Sequence, residues 1–227
     1  MSKTAPHYYT RQPVTESRRE TVTYELRRTG NTTSLATAED ARNIANDCIL
    51  LTFVTDSGVF SKSRVDFGTD LLIRSLPPLH GRILDLGCGY GAAGISLALL
   101  NPGAEVWFSD VNERAVGLCR ENYARLAASG RPDARIEASD GFEAFGGVLF
   151  DTIVTNPPVR AGKANLFRLY GDAYNHLAEG GALYVVLQKK QGMESTAAEL
   201  ARLSGNCTDI ARKSGFHVLR VGKIHMN

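Results

Sequence analysis

The 227-residue chain is poor in the features that staple, anchor or address a protein. Its four cysteines, Cys48, Cys88, Cys119 and Cys207, stand singly with no C-x-x-C pair. Neither a disulfide framework nor a zinc site is therefore expected, and no metal. No apolar run approaches the ~20 residues that span a bilayer, so no membrane association is expected. The polar stretch from Met1 to Arg28 lacks the apolar core of a secretory signal, and a cytoplasmic location is expected. Internal repeats and low-complexity tracts are missing too. What remains, 43% hydrophobic and 22% charged, is the balance of a globular protein with a sizeable core.

A large charge of one sign is also lacking, since the net charge is only +2. Its distribution is uneven. Residues 1–28 carry six basic and three acidic side chains, and residues 189–227 carry seven and three. The segment between them carries thirteen basic against eighteen acidic. Basic ends around an acidic middle fit a polyanionic partner.

From Arg82 onward, short apolar runs alternate with longer amphipathic ones. Arg82–Leu86, Glu105–Ser109, Arg135–Ala138, Leu149–Thr155 and Ala182–Leu187 read as strands. Ala92–Leu100, Glu113–Ala128, Ala164–Leu177 and a segment near Ser195–Leu203 read as helices, with Asn112 as an N-cap. Two last strands, near Cys207–Ala211 and His217–Val221, are expected to form an antiparallel hairpin about Lys213-Ser214-Gly215. Strand–helix alternation predicts an α/β fold, a mostly parallel sheet covered on both faces. Residues 1–58 are expected to form an N-terminal β-hairpin extension, with Thr21–Leu26 and Ile49–Val54 as its strands and a polar insertion at 29–47. Residues 59–227 are expected to form the catalytic domain. The first ~20 residues are expected to be mobile.

The segment Asp85-Leu86-Gly87-Cys88-Gly89-Tyr90-Gly91 joins a strand to a helix, where glycines permit a sharp turn and close approach of a ligand. Gly89-Tyr90-Gly91-Ala92-Ala93-Gly94 also fits the dinucleotide pattern G-x-G-x-x-G, with Asp110 at ribose-binding spacing. S-adenosylmethionine accounts for more of these residues. It carries an ammonium and a sulfonium and no phosphate, so the acid Asp85 at the head of the loop suits it. Asp110, with Val111 beside it, is placed to accept both ribose hydroxyls. Asp140, with Gly141 beside it, follows the third strand, where a carboxylate accepts from the adenine amino group.

Asn156-Pro157-Pro158-Val159 follows the strand expected beside the glycine loop. An exocyclic amine on an aromatic ring is a poor nucleophile because its lone pair is delocalised. The Asn156 side-chain carbonyl and the Pro157 main-chain carbonyl form a pair of acceptors able to hold both N–H bonds out of conjugation. Pro157 and Pro158 stiffen the backbone that aims them. The expected chemistry is methyl transfer to an amino nitrogen, with Asn156, Pro157 and Pro158 as the catalytic set.

These motifs resemble those of class I S-adenosylmethionine-dependent methyltransferases. More closely, Gly58–Leu72, Asn156–Lys163 and Val185–Gly192 resemble the small-domain methyltransferases similar to the 16S rRNA guanine-N2 family. The resemblance implies a Rossmann-like, seven-stranded sheet in order 3-2-1-4-5-7-6 with strand 7 antiparallel. It implies that Phe60, Lys62, Asp66, Gly68 and Thr69 lie beside the methionine end of the cofactor, joining Asp85, Gly87, Cys88, Gly89, Gly91, Asp110, Val111, Asp140, Gly141 and Asn156. S-adenosylhomocysteine is then the product. It further implies that the acceptor is an RNA base, guanine N2 of ribosomal RNA or of a ribosomal subunit. A protein glutamine amide and adenine N6 are the alternatives, and the enzyme is expected to be a monomer or homodimer. Val159, Arg160, Lys163, Gln188, Lys189 and Lys190 are the substrate-binding candidates, with Gln191 beside them. One departure stands out: many such enzymes have an aromatic residue after Asn-Pro-Pro, and this chain has Val159. Phe167 and Tyr170 are the nearby aromatics available to stack on a base instead.

Overall fold

The computed structural model describes residues 10–13, 15–27, 48–61, 63–127 and 134–223. A hairpin of β1 (Glu20–Arg27) and β2 (Cys48–Thr55) precedes the main domain. There follow α1 (Phe67–Ser75), β3 (Arg82–Leu86), α2 (Ala92–Leu100), β4 (Glu105–Asp110), α3 (Glu113–Ala127), β5 (Ile136–Ala138) and β6 (Phe150–Thr155). The chain continues through α4 (Lys163–Asn175), β7 (Leu177–Gln188), α5 (Met193–Ser204), β8 (Thr208–Lys213) and β9 (Phe216–Gly222). The seven-stranded sheet runs β5-β4-β3-β6-β7-β9-β8. Strand β9 pairs antiparallel with both its neighbours, while the remaining pairs are parallel. Counted from β3, this is the expected order.

Strand alternation explains why helices cover both faces. Along β7, Ala182, Tyr184 and Val186 face one core, and Leu183, Val185 and Leu187 face the other. The first core takes Leu72, Ile95, Leu97 and Val116 from α1, α2 and α3, together with Tyr24, Leu26 and Phe53 of the hairpin. The second takes Leu166, Tyr170 and Leu200 from α4 and α5, and the aromatic cluster Trp107, Phe142, Phe145 and Phe150. Each such side chain, fully buried, contributes about 1.5–3 kcal/mol. Chain order reverses between β3 and β6, which opens the crevice of a doubly wound sheet at their carboxyl ends. No helix among the described residues is long and apolar enough to cross a membrane.

Three expectations need correcting. Helix α4 stops at Asn175 rather than Leu177, because the His176 carbonyl accepts from Phe150 N at 2.8 Å and draws the chain into the sheet. Strand β7 therefore begins at Leu177. Its Gly180 and Gly181 sit in an irregularity between the pairs Phe150↔Leu177 and Thr152↔Ala182, and do not precede the strand. The N-terminal stretch is also tied down where it is described. Arg114 donates to Thr15 O at 2.8 Å and to Ser57 O at 2.7 Å, and Glu113 N donates to Arg11 O at 3.0 Å. Buried Asp56 accepts from Ser17 Oγ and Arg18 N. The charged partners for these polar residues come from segments about 40 to 100 positions away, which local composition does not reveal. The polar insertion at 29–47 and Lys62 lie outside the described residues.

Candidate active site

The crevice at the carboxyl ends of β3, β4, β5 and β6 is a cleft of about 210 Å³, joined to a smaller recess. In the loop after β3, Gly87 (φ 76°) and Gly89 (φ 56°) hold left-handed conformations. A Cβ on either would meet no protein atom within 4 Å, so it would project into the open space they border. Main-chain N–H groups of Gly87 and Cys88 donate to Ser109 O, at 2.8 and 2.9 Å, which locks the loop onto β4. Gly91 differs from its neighbours. It borders neither cavity, and its Cβ would lie 2.9 Å from Cys119 Sγ. Gly91 starts α2 with φ 94°, and a side chain there would meet Cys119 and Ile95.

Two acids flank this loop in different environments. Asp85 is buried, its Oδ2 accepting from Gly94 N of α2 at 2.7 Å, and it lines the recess with Cys88, Thr69 and Ala92. Burial pushes its carboxyl up to about 7, the Gly94 bond opposes this, and the nearby Asp110 charge adds to the rise. Asp110, at the end of β4, accepts from Asn112 N on Oδ1 and Gly89 N on Oδ2, each at 2.8 Å. Burial raises it to about 6 despite those bonds. Val111, Asp140 and Gly141 line the same end of the cleft, with Leu169 opposite. Asp140 is exposed and accepts from Arg168 at 3.3 Å.

At the other end lie Phe60, Asp66, Asn156, Pro157, Pro158, Val159 and Gln188. Asp66 caps α1, its Oδ2 accepting from Gly68 N at 2.8 Å and Thr69 N at 3.3 Å. The Asn156 amide donates from Nδ2 to Asp66 Oδ2 at 3.0 Å and to Thr69 Oγ1 at 3.1 Å. Because a carboxylate only accepts, this fixes which way the Asn156 amide points and leaves its Oδ1 without a partner among the described residues. The Pro157 carbonyl accepts from Val159 N at 2.9 Å and keeps a second lone pair. A 3-10 turn, Val159–Ala161, carries Arg160 outward, and a second, Lys189–Gln191, carries Lys189 and Lys190. These three and Lys163 are exposed at the rim, and none lines the cleft. Gln188 and Gln191 fix each other, since Gln191 Oε1 accepts from Gln188 N at 3.1 Å and the Gln188 side chain accepts from the Gln191 backbone.

Sequence reasoning placed Tyr170 as a stacking candidate, but it is fully buried in the second core. Phe167 lies under Lys163 Nζ, 5.2 Å from its ring centre, and does not border the cleft. Lining residues that sequence reasoning missed include Ser139, Thr155, Leu169 and Phe216. Phe216 arrives through antiparallel pairing with Gln188, and the hairpin turn at Ser214 (φ 51°) and Gly215 (φ 78°) was its only sequence signal. Among the described residues no cluster of three or more His, Cys, Asp or Glu could hold a metal ion.

The family model for the methyltransferase small domain matches residues 50–220. The chain belongs to that family. This methyltransferase is 36% identical over 221 residues to the uncharacterized protein YbxB of Bacillus subtilis (strain 168), covering 96% of this chain and 98% of that one. It is 35% identical over 165 residues to ribosomal RNA small subunit methyltransferase C of Shewanella amazonensis, covering 71% of this chain and 46% of the relative. Among solved structures, it is similar to a 16S rRNA N2 methyltransferase (RsmC) from T. thermophilus in complex with AdoMet and guanosine. The TM-score is 0.66 at 28% identity, covering 77% of this chain and 48% of that one. The methyltransferase thus spans about half the length of its rRNA-modifying relatives. S-adenosylmethionine is the family's cofactor, and the residues here suit it. The open glycine cradle accepts a close ligand, buried Asp85 can face a cation, and Asp110 can face paired hydroxyls.

Proposed function

We propose that this methyltransferase modifies the exocyclic amino group of an RNA base, guanine N2 of ribosomal RNA. The observation that carries the reading is the Asn156 amide, held by Asp66 and Thr69 so that its carbonyl oxygen remains available at the cleft. Bound S-adenosylmethionine supplies a methyl group on a positively charged sulfur, which leaves as the neutral thioether of S-adenosylhomocysteine.

Asn156 Oδ1 and the Pro157 carbonyl accept the two amino hydrogens and turn the nitrogen lone pair out of ring conjugation. The same two oxygens stabilise the positive charge that grows on that nitrogen, and one of its N–H protons then leaves to water, giving the neutral methylamino group. Held acceptors of this kind also convert a random encounter into a near-attack geometry, an effect that reaches about 7–11 kcal/mol in ideal intramolecular cases. Asp85 serves the cofactor's ammonium from the recess. Asp110, Val111, Asp140 and Gly141 serve its adenosine, and Phe60, Lys62 and Thr69 its methionine end. Val159 offers the base an apolar surface. Arg160, Lys163, Lys189 and Lys190 contact phosphates from the rim. Residues 1–58 act as an N-terminal extension to the catalytic part at 59–227.

The similarity to relatives named for rRNA modification supports the RNA half of this reading. The test is transfer of tritiated methyl from S-adenosylmethionine into ribosomal RNA and into protein, followed by mass spectrometry of the digests. Label in N2-methylguanosine is expected. Label in N5-methylglutamine, with none in RNA, overturns the reading.

A further inference from the structure

We propose that Asp66 reads the base: its Oδ1 accepts the N1–H of guanine while Asn156 Oδ1 holds the adjacent amino group. The inference rests on the guanine-N2 reading and adds to it a residue that selects the base.

The two oxygens of Asp66 are in different situations. Oδ2 is filled by Gly68 N, Thr69 N and Asn156 Nδ2, at 2.8, 3.3 and 3.0 Å. Oδ1 accepts from no described residue, and Asp66 borders both the cleft and the recess. The helix cap and the Asn156 clamp therefore use one oxygen and leave the other for a ligand. The other acids of the cleft have different work. Asp110 holds the main-chain N–H groups of Asn112 and Gly89 and is assigned to the ribose hydroxyls, Asp140 pairs with Arg168, and Asp85 lies in the recess against Gly94. Among these acids only Asp66 touches Asn156.

The chemistry of base edges makes this placement selective. Guanine presents two neighbouring donors, N1–H and the N2 amino group, which suit two neighbouring acceptors. Adenine flanks its amino group with acceptor N1, and cytosine with acceptor N3. Either would set a lone pair against the Asp66 carboxylate. A glutamine amide offers no second donor at all. A paired contact of this kind discriminates by about ten- to hundredfold between bases.

Asp66→Asn isolates the effect. Its amide oxygen can still cap α1 and hold Asn156, while an NH2 donor replaces the free oxygen. Guanosine and 2-aminopurine riboside are the probes, both carrying the 2-amino group but only guanosine carrying N1–H. Each is measured as a competitor of ribosomal RNA methylation, and S-adenosylhomocysteine affinity is measured by calorimetry.

Wild type is expected to favour guanosine over 2-aminopurine riboside by about tenfold or more. Asp66→Asn is expected to abolish or reverse that preference, with cofactor affinity changed less than threefold. Equal binding of the two nucleosides to wild type overturns the inference without any variant. So does an unchanged preference in Asp66→Asn, and if cofactor affinity falls with it, Asp66 faces the cofactor's ammonium instead. A wild-type product other than N2-methylguanosine overturns the guanine reading itself, and this inference with it.

Discussion

Asn156 Nδ2 donates to Asp66 Oδ2 at 3.0 Å, joining the end of β6 to the start of α1 across 90 positions of the chain. One carboxylate oxygen thereby serves as helix cap and as clamp for the side chain that faces the reacting amine. The bond sets the amide's orientation before any substrate arrives, which is what electrostatic preorganisation requires.

Asn156→Ala removes an acceptor aimed at charge that develops during transfer. We expect kcat to fall about 10²–10³-fold, with S-adenosylhomocysteine affinity within a few-fold of wild type. Asn156→Asp should do no better, because a second carboxylate would then face Asp66. Single-turnover rates and calorimetry on the same preparations check both outcomes.

Cofactor binding should release protons near neutral pH. Asp85 is held up to about 7 and Asp110 to about 6, so both are partly protonated there in the free protein. An incoming ammonium favours the ionised form of Asp85, and hydroxyl donors favour that of Asp110. Affinity should therefore rise with pH, by up to about tenfold per unit for each group, through about pH 5–7 and level off above it. Calorimetry in buffers of different ionisation enthalpy measures the released protons. A flat affinity across that range would show that neither acid meets the cofactor.

Gly94→Ala sets two effects of opposite sign against each other. Alanine in a helix interior gains about 0.5–1 kcal/mol over glycine. Here, however, the new Cβ would lie 2.2 Å from Cε1 of Phe108, a ring that is itself fully buried. Overpacking costs about 1–3 kcal/mol or more, so the clash wins. A fall in Tm of several degrees is expected, read by thermal denaturation.

The rim lysines should act through charge alone. Lys189→Glu with Lys190→Glu should weaken RNA binding and lower the slope of log affinity against log salt by about 0.7–0.9 per lost phosphate contact. Methylation of a free nucleoside should be unaffected, since neither side chain borders the cleft. Filter binding at several salt concentrations reads the slope.

How much of this was legible beforehand follows from the range of the interactions involved. The glycine loop, the acids after successive strands and Asn-Pro-Pro are contiguous signals, because positive φ, chain reversal and stiff backbone are local properties. Strand–helix alternation along the chain predicted a sheet covered on both faces for the same reason. The end of α4 and the irregular start of β7 were misjudged, since the bond from Phe150 N to the His176 carbonyl spans the sheet.

From the sequence alone came the alternation of elements, the order of the sheet through family resemblance, and the chemical kinds of side chain near the crevice. Only the tertiary structure decided which of them share a partner. It turned Tyr170 inward, brought Phe216 into the cleft and gave one oxygen of Asp66 to Asn156. Direction is the physical reason: composition and spacing say which atoms are available, but a hydrogen bond exists only when packing sets its donor and acceptor face to face.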